Sequence, residues 1–343
     1  MQKGRCNIAN IIDVAKLAGV SKSTVSRVLN NNGYVDNETR KAIVNAIAEL
    51  NYTPSSFAQN IRTRKSKTIA MMLPDASNTF YTELFKVVED VALEYDYMVI
   101  VCDTRLSYEY ELMLADRLLK RHTDGLLYFT QQRTNANQEF FVNLSKKIPI
   151  VFMDYAFADV PDISCVAVEG TQSTRSAVQF LFRKGKRKIA YVNLPSDKNV
   201  TMLRFEGYRQ GLELCGLEYE PNMVVVQAEL SDSLVNTGYY SAQSLLSKNE
   251  QIDAIIAASD QLAVGVLKYL KHSDIKIPEQ ISVIGFDNLD LCTIIEPTLT
   301  TIAQPIEKIG RDATHLLLSK ILGSSVKSEK IIYDGKLIER QST

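Results

Sequence analysis

Small hydroxyl side chains and long cations crowd one short segment near the N-terminus. They are Ser21, Lys22, Ser23, Thr24, Ser26 and Arg27. Slim hydroxyls and basic groups can hydrogen-bond base edges inside a DNA major groove about 12 Å wide. Lys22, Ser23 and Arg27 suit base reading. Ser21, Thr24 and Ser26 suit phosphate contacts, which position a protein without specifying sequence. The segment therefore predicts contact with DNA.

The surrounding residues predict three short helices that would present this segment. Asn10 can cap the first helix, with Asp13 in its first turn, and Gly19 supplies a left-handed stop. Ser21 can cap the second helix and Asp36 the third. Helix, glycine turn and a second helix with a small polar outer face form a helix-turn-helix.

Charge is divided unevenly along the 343-residue chain. Residues 1–67 hold eleven Lys or Arg and four Asp or Glu, a net charge of +7, whereas the remainder carries −8. A basic head on an acidic body indicates that only the head meets a polyanion.

Residues 54–67 predict a linker. The stretch Ser55–Ile61 precedes a basic run from Arg62 to Lys67. Seven residues cannot hold a helix alone in water, because the cost of nucleation is not recovered. Order in this stretch is therefore expected only against a partner.

From Thr68 onward, short apolar strands alternate with helices of about a dozen residues. Predicted strands include 69–73, 98–102, 126–129, 150–153, 189–192, 254–257 and 283–286. Predicted helices include 84–95, 110–121, 177–184 and 262–270. This alternation predicts parallel sheets covered on both faces, and the length favours two doubly wound lobes over one.

Several classes of protein are disfavoured by composition. No stretch has the roughly 18 apolar residues of a membrane span, and the N-terminus lacks the apolar core of a signal peptide, so a cytoplasmic protein is expected. The five cysteines and three histidines are scattered, which disfavours disulfides and a metal site. No paired nucleophile and base or phosphate loop is visible, so neither an enzyme nor a bound cofactor is expected.

At this point the chain resembles the lac repressor family, and the resemblance spans essentially its full length. The resemblance is carried by the head, the linker and the following strings: Pro74–Asn78, Arg204–Tyr208, Ile281–Asn288, Pro297–Pro305 and Leu337–Thr343. It implies a small all-α helix-turn-helix domain over 1–53, a hinge over 54–67 and a two-lobed α/β domain like periplasmic binding proteins over 68–343.

The resemblance also assigns roles in the head and the hinge. The family's base-reading positions fall on Lys22, Ser23, Arg27 and Tyr34, and Asn30 takes a position that supports the DNA backbone. In the hinge, Ser55 would cap, Ala58 would face its symmetry mate, and Ile61 would be the apolar wedge that opens the minor groove. The alternative for Ile61 is an ordinary core residue.

In the body, the resemblance implies three crossings between lobes, near Ile163, Cys292 and Ser325. The N-terminal lobe would then hold about 68–163 and 293–325, and the C-terminal lobe about 164–292 and 326–343. Ligands of parallel sheets bind at the carboxyl ends of the strands. The candidate effector contacts are Phe80, Tyr81, Asp154, Arg204, Leu230, Ser259 and Asp287.

Arg204 and Asp287 could bracket adjacent hydroxyls of a sugar or polyol, as donor fork and acceptor. The alternatives are an ion pair across a helix surface for Arg204 and a capping role for Asp154. Leu230 stands where sugar-binding members often have an aromatic ring, Ser259 replaces a common Asn, and Glu169-Gly170 replaces a frequent Asp-Asn pair. These departures leave the identity of the effector open.

The function expected from the resemblance is a repressor that binds palindromic operator DNA as a homodimer and responds to a small molecule between its lobes. Effector binding would rotate the N-terminal lobes and release the paired hinges from the minor groove. An alternative is control by a partner protein, as in the catabolite control branch. No heptad segment follows the body, so a helical tetramer is not expected.

Overall fold

The computed structural model describes residues 9–29, 32–52, 65–129, 135–153, 160–194, 199–226, 233–248, 251–323 and 328–343. The chain divides into two compact units, Met1–Ser66 and Lys67–Thr343. Among the helices of the described residues, none has the length and apolar character needed to cross a membrane.

The first unit contains three helices, α1 (Ile11–Leu17), α2 (Lys22–Leu29) and α3 (Asn37–Glu49). Asn10 and Asp13 form a reciprocal capping box at the start of α1. Asp36 accepts from the Thr39 N–H at 2.9 Å to cap α3, and Gly19 has φ +67°. The predicted caps are therefore confirmed. The helices enclose a small apolar core of Val14, Ala15, Val25, Val28, Ile43 and Ala46.

The second unit contains two six-stranded sheets. The first sheet has the order β11-β5-β4-β3-β1-β2 and is parallel throughout. Its strands are β1 (Thr68–Leu73), β2 (Met98–Asp103), β3 (Gly125–Tyr128), β4 (Ile150–Phe152), β5 (Ser164–Glu169) and β11 (Lys330–Asp334). The helices of this lobe are α4 (Thr79–Glu94), α5 (Tyr108–Lys120), α6 (Asn135–Ser145) and α12 (Ile306–Ile321). Apolar cores cover both faces of the sheet.

The second sheet has the order β12-β10-β9-β8-β6-β7, with only β12 antiparallel to its neighbour. Its strands are β6 (Ile189–Asn193), β7 (Val224–Val226), β8 (Ala254–Ala257), β9 (Ser282–Asp287), β10 (Thr300–Ala303) and β12 (Lys336–Ile338). Its helices are α7 (Gly170–Arg183), α8 (Asn199–Leu214), α9 (Leu234–Lys248), α10 (Asp260–His272) and the short α11 (Leu291–Ile294). A 3₁₀ turn, Pro221–Met223, precedes β7.

The lobe boundaries differ from those expected near Ile163, Cys292 and Ser325. β5 pairs with β4 and β11, so residues 164–169 and 330–334 belong to the first lobe, whereas β10 pairs with β9 in the second. The crossings therefore fall after Glu169, at Gln304-Pro305 and at Gly335. The physical reason is that strand composition does not show which sheet a strand joins, because sheet membership is set by hydrogen bonds to strands distant in the sequence.

Two glycines allow α9 and α10 to cross with their backbones in contact. A Cβ at Gly265 would lie 2.0 Å from the Val235 carbonyl oxygen, and one at Gly238 would lie 2.0 Å from that of Leu262. Backbone atoms cannot yield as a flexible side chain can. We therefore expect Gly265→Ala to lower the free energy of unfolding by about 1–3 kcal/mol, as measured by urea denaturation.

The matched control is Gln243→Ala, which changes the exposed face of α9. That variant is expected to remain within about 0.5 kcal/mol of the unmodified protein. Equal stability of Gly265→Ala and the unmodified protein would contradict the close crossing.

Candidate functional site

Helix α2 presents a polar, cationic face to solvent. Val25 and Val28 are buried in the head core, whereas Lys22, Ser23 and Arg27 are exposed. Residues 23 and 27 are four apart and so lie on one side of the helix. The structure thus places the three predicted base-reading side chains on a continuous outward surface that a DNA groove can receive.

The hydroxyls at the start of α2 hydrogen-bond one another. Ser21 Oγ lies 2.7 Å from Ser23 Oγ and 2.8 Å from Thr24 Oγ1, and it accepts from the Thr24 N–H at 3.2 Å. Ser21 is therefore the predicted cap, which fixes the first turn of α2. Ser26 is partly buried on the same helix, as is Thr24.

Tyr34 follows Gly33, which has φ +86°, and its side chain is 92% exposed. An aromatic ring this exposed is available to a partner of the head. The remaining predicted DNA contacts lie outside the described residues: Asn30, Ser55, Ala58 and Ile61.

In the second unit, Arg204 and Asp287 form a buried ion pair at the carboxyl edge of the second sheet. Asp287 is the last residue of β9, and Arg204 lies on α8. Arg204 Nη2 is 3.5 Å from Asp287 Oδ1, and the two side chains are 11% and 5% exposed. Arg204 therefore pairs with the predicted effector acid and not with an acid across a helix surface.

Other groups hold this pair in place. Arg204 Nη1 donates to the Ala258 carbonyl oxygen, and its guanidinium lies 3.6 Å from the centre of the Phe286 ring. Gln304 Nε2 donates to Asp287 Oδ1 at 2.7 Å. Burial raises the pKa of Asp287 to about 7 against the opposing charge of Arg204, and the nearby Asp260 carboxylate adds to the rise.

Two buried polar atoms on elements of the second lobe have no hydrogen-bond partner within the described parts of the chain. They are Arg204 Nε, a donor, and Asn193 Oδ1, an acceptor at the end of β6. Most buried polar groups in proteins are paired. The strands β6, β8 and β9 are successive and parallel, so Asn193 at the end of β6 lies at the same carboxyl edge as Asp287 at the end of β9. A ligand with adjacent hydroxyls at this edge could pair with both unpartnered atoms.

In the first lobe, Phe80 and Tyr81 lie at the start of α4, next to Phe129, which follows β3. The centre of the Tyr81 ring lies 5.2 Å from the centre of the Phe80 ring and 5.2 Å from the centre of the Phe129 ring, and both contacts are edge-to-face. Phe80 is only 8% exposed and belongs largely to the core. Tyr81 is partly exposed and therefore offers more ring surface to a ligand.

The other predicted effector contacts have different outcomes. Ser259 caps α10, where its hydroxyl accepts from the Leu262 N–H at 3.3 Å. Glu169, which was noted as a departure from the family pattern and not as an effector contact, caps α7 by accepting from the N–H groups of Thr171 and Gln172. Asp154 and Leu230 lie outside the described residues.

No role at the site was predicted for four further residues: Phe129, Asn193, Phe286 and Gln304. Phe286 and Gln304 fall within the strings that carried the family resemblance, next to Asp287 and after β10. Their position at strand ends was the available signal, because side chains there converge on one edge. Asn193 also ends a strand, but nothing in its surroundings marks it.

Comparisons with known proteins find a matching family description in each of the two units. Residues 10–55 match "Bacterial regulatory proteins, lacI family", and residues 178–343 match "Periplasmic binding protein-like domain". The chain is 32% identical over 335 residues to the ribose operon repressor of Escherichia coli (strain K12). That alignment covers 98% of this chain and all of the relative.

Solved structures agree on the architecture. A transcriptional regulator CelR–cellobiose complex is 28% identical, with a TM-score of 0.73, and the match covers 98% of this chain and 100% of that one. The lac repressor dimer bound to operator and the anti-inducer ONPF has a TM-score of 0.86 at 24% identity, covering 97% and 98% of the two chains. The latter likeness shows the shared fold.

Proposed function

Because the chain belongs to the lacI family of bacterial regulatory proteins, we propose that this transcriptional regulator is a repressor controlled by a carbohydrate-like effector. It binds a palindromic operator as a homodimer through the α2 surface, and the effector binds at the carboxyl edge of the strands in Lys67–Thr343. No catalytic step is part of this proposal.

The buried Arg204–Asp287 pair is the observation that carries the effector assignment. A guanidinium with a free Nε–H and a carboxylate with acceptor capacity match the vicinal hydroxyls of a sugar, which both donate and accept. The partly exposed Tyr81 ring offers the apolar surface that one face of a sugar requires. The names of a ribose operon repressor and of a cellobiose complex among the related proteins support the same ligand class.

In this proposal the effector acts by distinguishing two arrangements of the lobes. A ligand shifts an equilibrium only as far as its affinities for the two states differ. The arrangement favoured by the effector weakens the binding of the operator by the two copies of the head.

A thermal-shift screen of the full-length protein tests the effector assignment. The ligands are D-ribose, D-xylulose, cellobiose, their phosphates and nucleobases. A sugar that binds the folded state should stabilise it by about 2.7 kcal/mol at a hundredfold excess over Kd. Stabilisation by nucleobases alone, or by no ligand in the panel, would contradict a carbohydrate effector.

The proposed homodimer uses the outer edge of the first sheet. β2 is an edge strand, and Met98, Ile100 and Val101 on it are 71%, 40% and 40% exposed. Leu93, at the end of α4, adds a further 60% exposed side chain. An apolar, unpaired strand edge normally has a cover. We propose that a second copy of the chain covers this edge, because a two-fold dimer matches the symmetry of a palindromic operator.

Met98→Glu should therefore shift the protein from dimer to monomer in light scattering and weaken operator binding. Met202→Glu is the control, since Met202 is 52% exposed on α8 and lies away from β2. A Met98→Glu protein that remains fully dimeric would contradict this interface.

Effector binding should depend on pH through Asp287. With a pKa of about 7, its carboxylate loses acceptor capacity as the pH falls, so effector affinity should drop by up to about tenfold per pH unit below 7. Calorimetric titration between pH 5.5 and 8.5 measures this. Asp287→Asn should bind the effector weakly and with an affinity that does not depend on pH. If the affinity of this variant still fell with pH as in the unmodified protein, the titrating group would be another residue.

The same ionisation has a consequence for stability. The folded state holds the Asp287 proton more tightly than the unfolded chain, whose aspartates have a pKa near 3.9. The contribution of Asp287 to the free energy of unfolding is therefore full below about pH 4 and is lost as the pH rises through about 7.

A further inference from the structure

The turn after β9 has an unusual backbone. Asp287 has φ +125° and Asn288 has φ +61°, although neither is glycine. Side-chain-bearing residues rarely adopt such angles, and they persist only where the surroundings hold them. The turn that presents the proposed effector acid therefore needs a restraint.

Asp260 supplies that restraint. It is fully buried, and its Oδ2 accepts from the Leu289 N–H at 2.8 Å. Its Oδ1 accepts from Thr301 Oγ1 at 2.5 Å, and Thr301 Oγ1 in turn accepts from the Asn288 N–H at 3.3 Å. The backbone on the C-terminal side of Asp287 is thus tied to one side chain.

These contacts are not helix capping. Ser259 is the cap of α10, so the Asp260 carboxyl is free to turn away from its own helix. A Cβ at residue 285 would lie 2.3 Å from Asp260 Oδ1, so Gly285 on β9 makes the space that this carboxyl occupies. The arrangement depends on a matched glycine and acid from two separate elements.

The same turn reaches the first lobe. Leu289 is 1% exposed and packs in the first-lobe core with Phe80, Leu84 and Phe129. Within four residues, the turn therefore joins the proposed effector acid of one lobe to the apolar core of the other.

We propose that Asp260 is a positioning residue that holds Asp287 towards the effector and Leu289 in the first lobe, so that effector binding is transmitted between the lobes through this turn. The inference rests on the proposed function for the role of Asp287. The link between Asp260 and the turn can be tested without any effector.

The first test is hydrogen–deuterium exchange on the full-length protein. In Asp260→Asn, an amide replaces the Oδ2 acceptor, and in Thr301→Val the bridging hydroxyl is lost. Both variants should exchange at least tenfold faster at Asn288 and Leu289, and faster at Phe80–Leu84 in the first lobe. Thr314→Val is the control, because it removes a buried hydroxyl that donates to the Gly310 carbonyl oxygen within α12.

The second test is calorimetric titration with D-ribose. Asp260→Asn and Thr301→Val should bind it at least tenfold more weakly than the unmodified protein, and Thr314→Val should bind it normally. Unchanged exchange at residues 288–289, or faster exchange spread over the whole second lobe without a change at Phe80–Leu84, would overturn the inference. If the unmodified protein does not bind D-ribose, the choice of effector fails, while the exchange data still decide the role of Asp260.

Discussion

Arg27→Ala should weaken binding to the operator by about 1–3 kcal/mol, or roughly 5- to 150-fold, and should relax the preference at one base position in each half-site. Arg27 is exposed on α2, where its guanidinium fork can donate two hydrogen bonds to one guanine. Selection of bound sequences from a random DNA pool, followed by anisotropy titrations of the winners, measures both effects.

Lys41→Ala is the matched control for this substitution, because it removes an exposed cation from α3 in the same unit. It should leave the base preference unchanged. If Arg27→Ala weakened every DNA sequence equally and kept the full preference, Arg27 would be a phosphate anchor and the base-reading assignment would be wrong.

Asp287→Asn should weaken effector binding by about 2–3 kcal/mol, or about 30- to 150-fold, because a charged hydrogen bond to the ligand is replaced by a neutral one. The Arg204 guanidinium also loses the charge 3.5 Å away that orients it. Operator binding without effector should be nearly unchanged, which makes the variant a repressor that no longer responds.

Asp290→Asn is the control for Asp287→Asn, since its side chain lies on the same turn but is exposed. A thermal melt shows whether each variant is folded. Normal effector affinity in folded Asp287→Asn would contradict the placement of the effector at the Arg204–Asp287 pair.

The three helices of the head could be predicted closely from sequence because their signals are local. Asn10, Asp36 and Gly19 act on the backbone within a few residues, so caps and stops can be interpreted without knowledge of the rest of the fold. The strands and helices of the body were predictable for a similar reason, since apolar runs and helical periodicity are also local.

The lobe crossings were not predictable in the same way. Whether Ser164–Glu169 pairs with β4 or joins the other sheet depends on long-range hydrogen bonds, and its composition suits both sheets. Asp260 illustrates the same limit at the site. Its importance arises from contacts with Leu289 and Thr301, which lie 29 and 41 residues away along the chain.

Arg204 and Asp287 are an intermediate case. Their residue types, and the position of Asp287 after a strand, predicted a ligand-binding pair, and the structure brings the two side chains together. Phe129 was missed, because it was predicted as the last residue of the strand 126–129, and an aromatic residue in a strand is more often part of a core.

Linkage between sugar and operator tests the central claim most directly. Operator affinity is measured by anisotropy with and without the saturating sugar, and sugar affinity by calorimetry with and without the operator. The proposal predicts that each ligand weakens the other by the same factor, about 5- to 150-fold, because coupling between two sites is reciprocal. Operator affinity that is identical at zero and saturating sugar would contradict control of DNA binding from the Arg204–Asp287 site.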